Sequence, residues 1–214
     1  MRVFLLHGLG QGPDSWTAAA EYLSHKAELV CPDLAAWVRE GADCYDRLYG
    51  RMEALLQREE EPAVLCGLSL GGVLALEYAA RHPERAAKLV LIGTPYKVPK
   101  GALRMQNALF RLMPKSAFRG TGLGKQEMLT LSRSMENLDP SQWAEQAVCP
   151  ALVLCGERDK TNRSSAQMLA EKLPRARLAW VPGAGHEVNR DAPEALAKLL
   201  NEFLWEEDVG WKRT

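Results

Sequence analysis

The chain has 214 residues, of which 47% are hydrophobic and 25% charged, and its 27 basic and 27 acidic residues leave no formal net charge. This composition is typical of a globular protein and excludes an intrinsically disordered or collagen-like chain. The length predicts a single domain over residues 1–214. Because the charge is balanced overall, we expect no nucleic-acid partner.

The cysteines and the apolar runs indicate where the protein resides. Five cysteines are an odd number in a chain too large to depend on disulfides, which favours reduced thiols and a cytoplasmic protein. The first apolar run is much shorter than a signal peptide, and no run of about 18 apolar residues predicts a membrane span. The sequence leaves the oligomeric state open.

Short, β-rich apolar runs recur along the chain and predict strands that are covered on both faces. They are Val3–Leu6, Glu28–Cys31, Ala63–Cys66, Lys88–Ile92, Ala151–Cys155 and Arg177–Val181. Segments with helical spacing lie between them, among them Leu70–Arg81, Ser164–Lys172 and Pro193–Leu204. This alternation predicts an α/β fold, a three-layer, doubly wound, mostly parallel sheet of about six strands with ligands at the carboxyl ends of the strands.

One long segment, residues 94–148, has helical spacing and turn residues but no convincing strand. It is longer than an ordinary connection between a strand and the next helix, and prolines and glycines punctuate it. We interpret it as a short helical cap inserted into the sheet domain.

The pentapeptide Gly67-Leu68-Ser69-Leu70-Gly71 directly follows a predicted strand and directly precedes a predicted helix. A serine on so tight a turn has strained backbone geometry, and small neighbours let its hydroxyl project over the sheet edge. In this context the pattern Gly-x-Ser-x-Gly predicts a nucleophile elbow. Ser69 is therefore the candidate nucleophile, and the N–H of Leu70 is expected to point toward the reacting carbonyl.

A second donor for an oxyanion is predicted in His7-Gly8-Leu9-Gly10, just after the first strand. There the backbone N–H of Leu9 would face the same point as that of Leu70, and two such donors stabilise a tetrahedral intermediate. We expect the His7 ring to hydrogen-bond within its loop rather than to transfer protons.

A serine nucleophile needs a base, and His186 is the best placed of the four histidines because it follows a glycine-rich turn after the last predicted strand. Asp159 follows the fifth strand and would hold the imidazole in the correct tautomer. The alternatives for Asp159 are a helix cap or a surface charge, and Asp33 is a weaker rival acid. The chain order Ser, Asp, His suits such a site.

Five short motifs follow one another along the chain: His7-Gly8, Pro32-Asp33-Leu34, Gly67 to Gly72, Gly156 to Asp159 and Gly183 to His186. In this order they resemble the α/β-hydrolase family over nearly the whole chain. The resemblance implies a serine-type site beneath a cap, with Ser69, Asp159 and His186 as its triad. Members often have two further strands before the His-Gly strand, so we expect a reduced sheet. Ala35 to Val38 replace a loop that is glycine-histidine-glycine in many relatives, which leaves substrate assignments based on it open.

The expected reaction is acyl transfer to water from a carboxylic ester or thioester, through an acyl-enzyme on Ser69. A carbon–carbon bond hydrolase or lyase with the same triad is the first alternative, since fold does not choose among these reactions. A non-catalytic ligand-binding or interaction module with a vestigial site is the second. The sequence implies no metal and no organic cofactor, because no ligand cluster has metal spacing.

The predicted cap carries the strongest local charge asymmetry that we find, since eight basic residues and only one acidic residue, Glu127, lie between positions 97 and 133. One interpretation is attraction of an anionic small-molecule substrate, and the other, which we favour, is a solvated face. Residues 103–113 also mix apolar and basic side chains. Contact with a membrane surface is one explanation, but we prefer a face buried over the site. The pocket candidates are Met105, Leu109, Phe110 and Met113.

Overall fold

The computed structural model describes residues 1–41, 43–98 and 100–205. Its strands are β1 (Arg2–Leu6), β2 (Glu28–Val30), β3 (Ala63–Leu68), β4 (Ala86–Ile92), β5 (Ala151–Gly156) and β6 (Ala176–Val181). They form one six-stranded sheet in the order β2-β1-β3-β4-β5-β6. Every neighbouring pair is parallel, so the carboxyl ends of all six strands lie at one edge.

Helices connect these strands. They are α1 (Thr17–Ala20), α2 (Leu34–Arg39), α3 (Tyr45–Leu56), α4 (Leu70–Arg81), α5 (Lys100–Leu112), α6 (Lys125–Ser134), α7 (Ser141–Ala144), α8 (Arg163–Lys172), α9 (Val188–Asp191) and α10 (Pro193–Trp205). Short 3₁₀ turns occupy Pro13–Trp16 and Lys115–Phe118.

Alternate residues of the strands enter two separate cores, as the period of two in a strand requires. Phe4, Leu65 and Leu91 pack on one face of the sheet with α3, α4 and α8. Val3 and Val90 pack on the other face with α1, α9 and α10. The predicted three-layer α/β fold is therefore confirmed, with a sheet that is wholly parallel in the described pairs.

Strand β3 runs two residues further than the apolar run predicts. Gly67 and Leu68 still pair with Leu91 and Ile92 of β4, so the strand continues to the residue before Ser69. A glycine looks like a turn signal in the sequence, but here its missing side chain lets the following helix approach the strand closely. The extension places Ser69 directly at the sheet edge.

The residues described between β4 and β5 form α5, α6, α7 and a 3₁₀ turn, and no strand. We call residues 94–148 the helical segment. Helix α5 packs on α6, α6 contacts α2, and α7 packs on α4, so α5 is the outer helix of the segment. Within the described ranges, no helix combines the length and apolar character that crossing a bilayer requires.

Candidate active site

Ser69 lies on the turn that joins β3 to α4. Its backbone angles are φ 53° and ψ −111°, and among the described residues it is the sole non-glycine residue with a positive φ. Its N–H donates a hydrogen bond to the carbonyl of Ile92 at 2.8 Å. Such a conformation costs about 1–3 kcal/mol and persists only where the surrounding structure enforces it. The turn therefore stores strain at one residue.

The glycines of this turn are required by close contacts, with backbone at Gly67 and Gly71 and with a side chain at Gly72. A Cβ on Gly67 would overlap the backbone of Gly71, and a Cβ on Gly71 would overlap the carbonyl group of Leu6. On Gly72 it would overlap the hydroxyl of Thr94. The first turn of α4 is thereby seated against the ends of β1 and β3, which fixes the direction of the helix start.

Asp159 and His186 meet at the same edge, beyond β5 and β6. Oδ2 of Asp159 lies 2.8 Å from Nδ1 of His186. The carboxyl side chain is 4% exposed, whereas the imidazole is 43% exposed. Nδ1 of His186 thus faces the buried carboxylate of Asp159, while part of the ring remains exposed to solvent.

Gly93 connects this pair with the serine turn. It follows Ile92 directly, has a φ of 53°, and a Cβ there would lie 3.0 Å from Nδ1 of His186. Since Ile92 accepts the hydrogen bond from Ser69, the end of β4 separates the serine turn from the imidazole. A side chain at position 93 would push the ring away from its acid.

Asn162 is a contact of the acid that the sequence did not reveal. Its side-chain Nδ2 donates to Oδ2 of Asp159 at 2.9 Å, and its backbone N–H donates to Oδ1 at 3.1 Å. Burial alone would raise the pKa of the Asp159 carboxyl, but the hydrogen bonds from His186 and Asn162 outweigh it and hold that pKa below its ordinary value. The carboxylate is thus kept ionised beside the imidazole.

His7 and Asp33 have structural contacts. Nδ1 of His7 lies 3.0 Å from the carbonyl oxygen of Gly8, and Nε2 lies 3.0 Å from the backbone nitrogen of Leu34. A neutral ring that donates through Nδ1 and accepts at Nε2 satisfies both, and burial lowers the pKa of His7. Asp33 caps α2 by accepting from the N–H of Ala36 at 2.8 Å. Asp33, the alternative acid, and the His7 ring are therefore both engaged in hydrogen bonds that hold their own loops.

The loop after β1 is held in place by a buried amide. Oε1 of Gln11 accepts the N–H of Gly8 at 3.2 Å, and its Nε2 donates to Asn189 at 3.3 Å. Among the described residues, the N–H groups of Leu9 and Leu70 have no hydrogen-bond acceptor. Both belong to backbone at the carboxyl edge, which leaves two donors available there.

A narrow apolar cavity of about 10 Å³, which is about the room for one water molecule, adjoins these two backbone groups. Helices α2, α3 and α6 and the turn before α6 close it. Its lining residues are His7, Gly8, Leu9, Gly10, Gln11, Leu34, Ala35, Val38, Leu48, Leu70, Leu123 and Leu131. The apolar residues after Pro32 were a signal for this wall, since they replace a polar loop.

The four predicted pocket residues do not line this cavity. Met105 and Leu109 are 72% and 57% exposed on the outer face of α5. Phe110 and Met113 are half-buried and pack on the core, with the Phe110 ring 5.6 Å from that of Phe118. The reason is that α5 packs through its other face, so Met105 and Leu109 turn away from the sheet.

Comparison with known proteins agrees with this architecture. A model described as "Alpha/beta hydrolase family" matches residues 3–199. The chain belongs to the alpha/beta hydrolase family. This hydrolase is 30% identical to a pimeloyl-[acyl-carrier protein] methyl ester esterase of Aromatoleum aromaticum, over 94% of this chain and 96% of that protein. The predicted family and the prediction of an enzyme are thereby confirmed.

Two further likenesses cover most of the hydrolase. It is 26% identical to a putative 2-succinyl-6-hydroxy-2,4-cyclohexadiene-1-carboxylate synthase of Bacillus subtilis, over 94% of this chain and 89% of that one. The crystal structure of an enol-lactonase from Burkholderia xenovorans superposes with a TM-score of 0.82 at 20% identity, covering 96% and 91% of the two chains. At 20% identity, the likeness to the enol-lactonase shows a shared fold and nothing more.

Proposed function

We propose that this hydrolase cleaves a carboxylic ester or thioester of a small molecule through Ser69, His186 and Asp159. The observation that carries the proposal is the strained Ser69 turn at the same sheet edge as the His186–Asp159 pair, which are 2.8 Å apart. Backbone strain at a serine on the sheet edge that also carries a histidine held by a buried acid is typical of an activated nucleophile.

In the first half of the reaction, Nε2 of His186 takes the proton of Ser69 as Oγ attacks the carbonyl carbon. The carbonyl π electrons move to oxygen and form a tetrahedral oxyanion. His186 then returns the proton to the departing alcohol or thiol, and the acyl group remains on Oγ. Asp159 stays ionised and stabilises the imidazolium throughout.

In the second half, His186 removes a proton from water as that water attacks the acyl-enzyme. Collapse of the second tetrahedral intermediate breaks the Oγ–acyl bond, and the proton returns to Ser69. The product is a carboxylic acid. The unpartnered N–H groups of Leu9 and Leu70 support an oxyanion hole in both steps, and one such donor is typically worth about 3 kcal/mol of transition-state stabilisation.

The apolar side chains that line the cavity beside Leu9 and Leu70 support an apolar acyl group as the part of the substrate that binds on this side, for which the cavity has to widen. The helical segment would act as the cap, because Leu123 and Leu131 close this cavity. The relative from Aromatoleum aromaticum is named for a methyl ester. Methyl esters of aliphatic acids are therefore the first substrates to test, beside thioesters of the same acids.

A fluorophosphonate tests the nucleophile without assuming a substrate. We expect one covalent adduct on the wild-type protein by intact mass, and none on Ser69→Ala or His186→Ala. The matched control is Ser116→Ala, an exposed serine of the helical segment, which should be labelled like wild type. Once labelling is established, untreated wild type would be screened with esters, thioesters and carbon–carbon substrates. A folded wild type that stays unlabelled, or a labelled Ser69→Ala, would refute the assignment.

A further inference from the structure

Helix α5 turns three large apolar side chains to solvent. Met105, Leu109 and Leu112 are 72%, 57% and 84% exposed. Their spacing of four and then three residues places them on one stripe of the helix. Scattered exposed leucines need no explanation, but a continuous stripe marks an interaction surface. The opposite face is occupied, because Leu103 and Phe110 pack on the core.

Basic residues line one flank of this stripe. Lys100, Arg104 and Arg111 are exposed and lie on the same side of α5, roughly 130° from the centre of the apolar stripe at 3.6 residues per turn. Lys115 is exposed just beyond the helix end. Arg104 forms an ion pair with Glu136 at 3.3 Å, whereas Arg111 and Lys115 have no acidic partner in the part of the chain that the structure describes. We call the stripe and this flank the α5 surface.

The surroundings of the α5 surface are also basic. The residues between 97 and 133 include one acid, Glu127, whose carboxylate accepts the N–H of Gly124 at the start of α6. The eight basic residues there are Lys97, Lys100, Arg104, Arg111, Lys115, Arg119, Lys125 and Arg133. Such a surface, with positive charges around an apolar stripe, is complementary to a lipid bilayer, which has anionic headgroups over an apolar interior.

We propose that the α5 surface docks on an anionic lipid bilayer, with the apolar stripe entering below the headgroups and the basic flank contacting lipid phosphates. A helix with one apolar and one basic face binds in this way, and each cation near the surface adds to the affinity. A second copy of the chain fits less well. In a two-fold dimer this surface would face its own copy, so the basic flanks of the two copies would lie close together and repel each other.

Docking on this surface would bring the cavity close to the lipid. Helix α5 packs on α6, and Leu131 of α6 lines the cavity, so one helix separates the bilayer from the proposed acyl site. The inference goes beyond the proposed function and does not depend on it, because binding to vesicles requires no hydrolysis.

Vesicle flotation tests the docking directly. We expect wild type to float with vesicles of phosphatidylcholine and phosphatidylglycerol, and much less with phosphatidylcholine alone. The double variant Leu109→Ser/Leu112→Ser and the double variant Arg111→Gln/Lys115→Gln should each lower the affinity for anionic vesicles about tenfold or more. The side chains are exposed, so thermal unfolding of both variants should match wild type.

Matched controls change exposed residues elsewhere. Val148→Ser, at 49% exposure, and Arg58→Gln should bind like wild type. Ser69→Ala should also bind like wild type, which separates docking from hydrolysis. Equal binding to neutral and anionic vesicles, or wild-type binding by the two double variants, would overturn the proposal. So would a concentration-dependent dimer, abolished by Leu109→Ser/Leu112→Ser, in a protein that binds no vesicles.

Discussion

The side-chain amides of Gln11 and Asn189 hydrogen-bond to each other in both directions, at 3.3 Å each way, although 178 residues separate them. Both residues are buried, at 1% and 0% exposure. Asn189 also donates to the carbonyl of Ser15 at 3.1 Å, and Gln11 accepts the N–H of Gly8. The pair thus ties the loop that carries Leu9 to α9, the short helix that follows His186.

Replacing Asn189 by alanine should impair stability and turnover together. The variant leaves the Gln11 amide buried without its partner, which costs about 1–3 kcal/mol of the free energy of unfolding. We expect kcat for ester hydrolysis to fall more than KM rises, because the loop carries the N–H of Leu9, a proposed donor to the transition-state oxyanion. Urea unfolding and steady-state kinetics measure the two effects.

The control for this variant is Gln126→Ala, an exposed amide on α6. It should change the free energy of unfolding by no more than about 0.5 kcal/mol and leave kcat unchanged. If Asn189→Ala kept the stability and kcat of wild type, the amide pair would have no role in holding the two loops.

Asn162→Ala should destabilise the protein in a pH-dependent manner. Removing the amide donors takes away part of what holds the pKa of Asp159 below its ordinary value, so that pKa rises. A depressed carboxyl pKa stabilises the folded state above the unfolded-state pKa of about 3.9, and this stability is lost as pH falls through the folded-state value. The variant should therefore be less stable than wild type by about 1–3 kcal/mol at pH 7, and the difference should shrink below pH 4.

Urea unfolding at pH 7, 5 and 3 measures this difference. Asn137→Ala is the matched control, since its exposed amide oxygen accepts from Lys100 at 3.2 Å and faces no buried acid. Its effect should be small and the same at each pH. A constant difference for Asn162→Ala across the three pH values would show that the amide does not act through Asp159.

Gly71→Ala should be strongly destabilising. Its new Cβ would overlap the carbonyl group of Leu6, which is backbone and cannot turn aside. We expect a loss of at least about 3 kcal/mol in the free energy of unfolding, together with loss of fluorophosphonate labelling.

Gly50→Ala provides the opposite case. Gly50 lies within α3, and a Cβ there meets nothing within 4 Å, so alanine should stabilise the protein by about 0.5–1 kcal/mol. Thermal or urea unfolding should show a lower free energy of unfolding for Gly71→Ala and a higher one for Gly50→Ala. A mild effect at position 71 would mean that α4 does not seat against β1 as described.

Leu131→Ala should alter the preference for acyl chain length. Leu131 lines the cavity, so its truncation enlarges the proposed acyl site and should raise kcat/KM for long-chain relative to short-chain methyl esters by about tenfold. Leu129→Ala is the control, because Leu129 is buried on the same helix and does not line the cavity. Both variants should lose about 2–5 kcal/mol of stability, but only Leu131→Ala should change the ratio. Equal ratios would remove the cavity from the proposed site.

Local pattern was enough to predict the sheet and the position of Ser69. The continuous apolar runs of β1 and β5, the helical spacing of α4 and the glycines around Ser69 all act within a few residues along the chain. Parallel connection then brings the ends of all strands to one edge, which is why residues after β5 and β6 were predicted to lie near the serine. The roles assigned to Ser69, Asp159 and His186 stay predictions until the nucleophile is labelled.

Tertiary packing alone decided which face of α5 is buried. Residues 103–113 are apolar on two sides, and periodicity gives the same signal for a buried stripe as for an exposed one. Only the position of α6 shows that Met105 and Leu109 face outward. The Gln11–Asn189 pair and the closure of the cavity by α6 were equally hidden. Each joins residues far apart in the chain, and no local pattern records which distant side chain will complete a hydrogen bond or close a cavity.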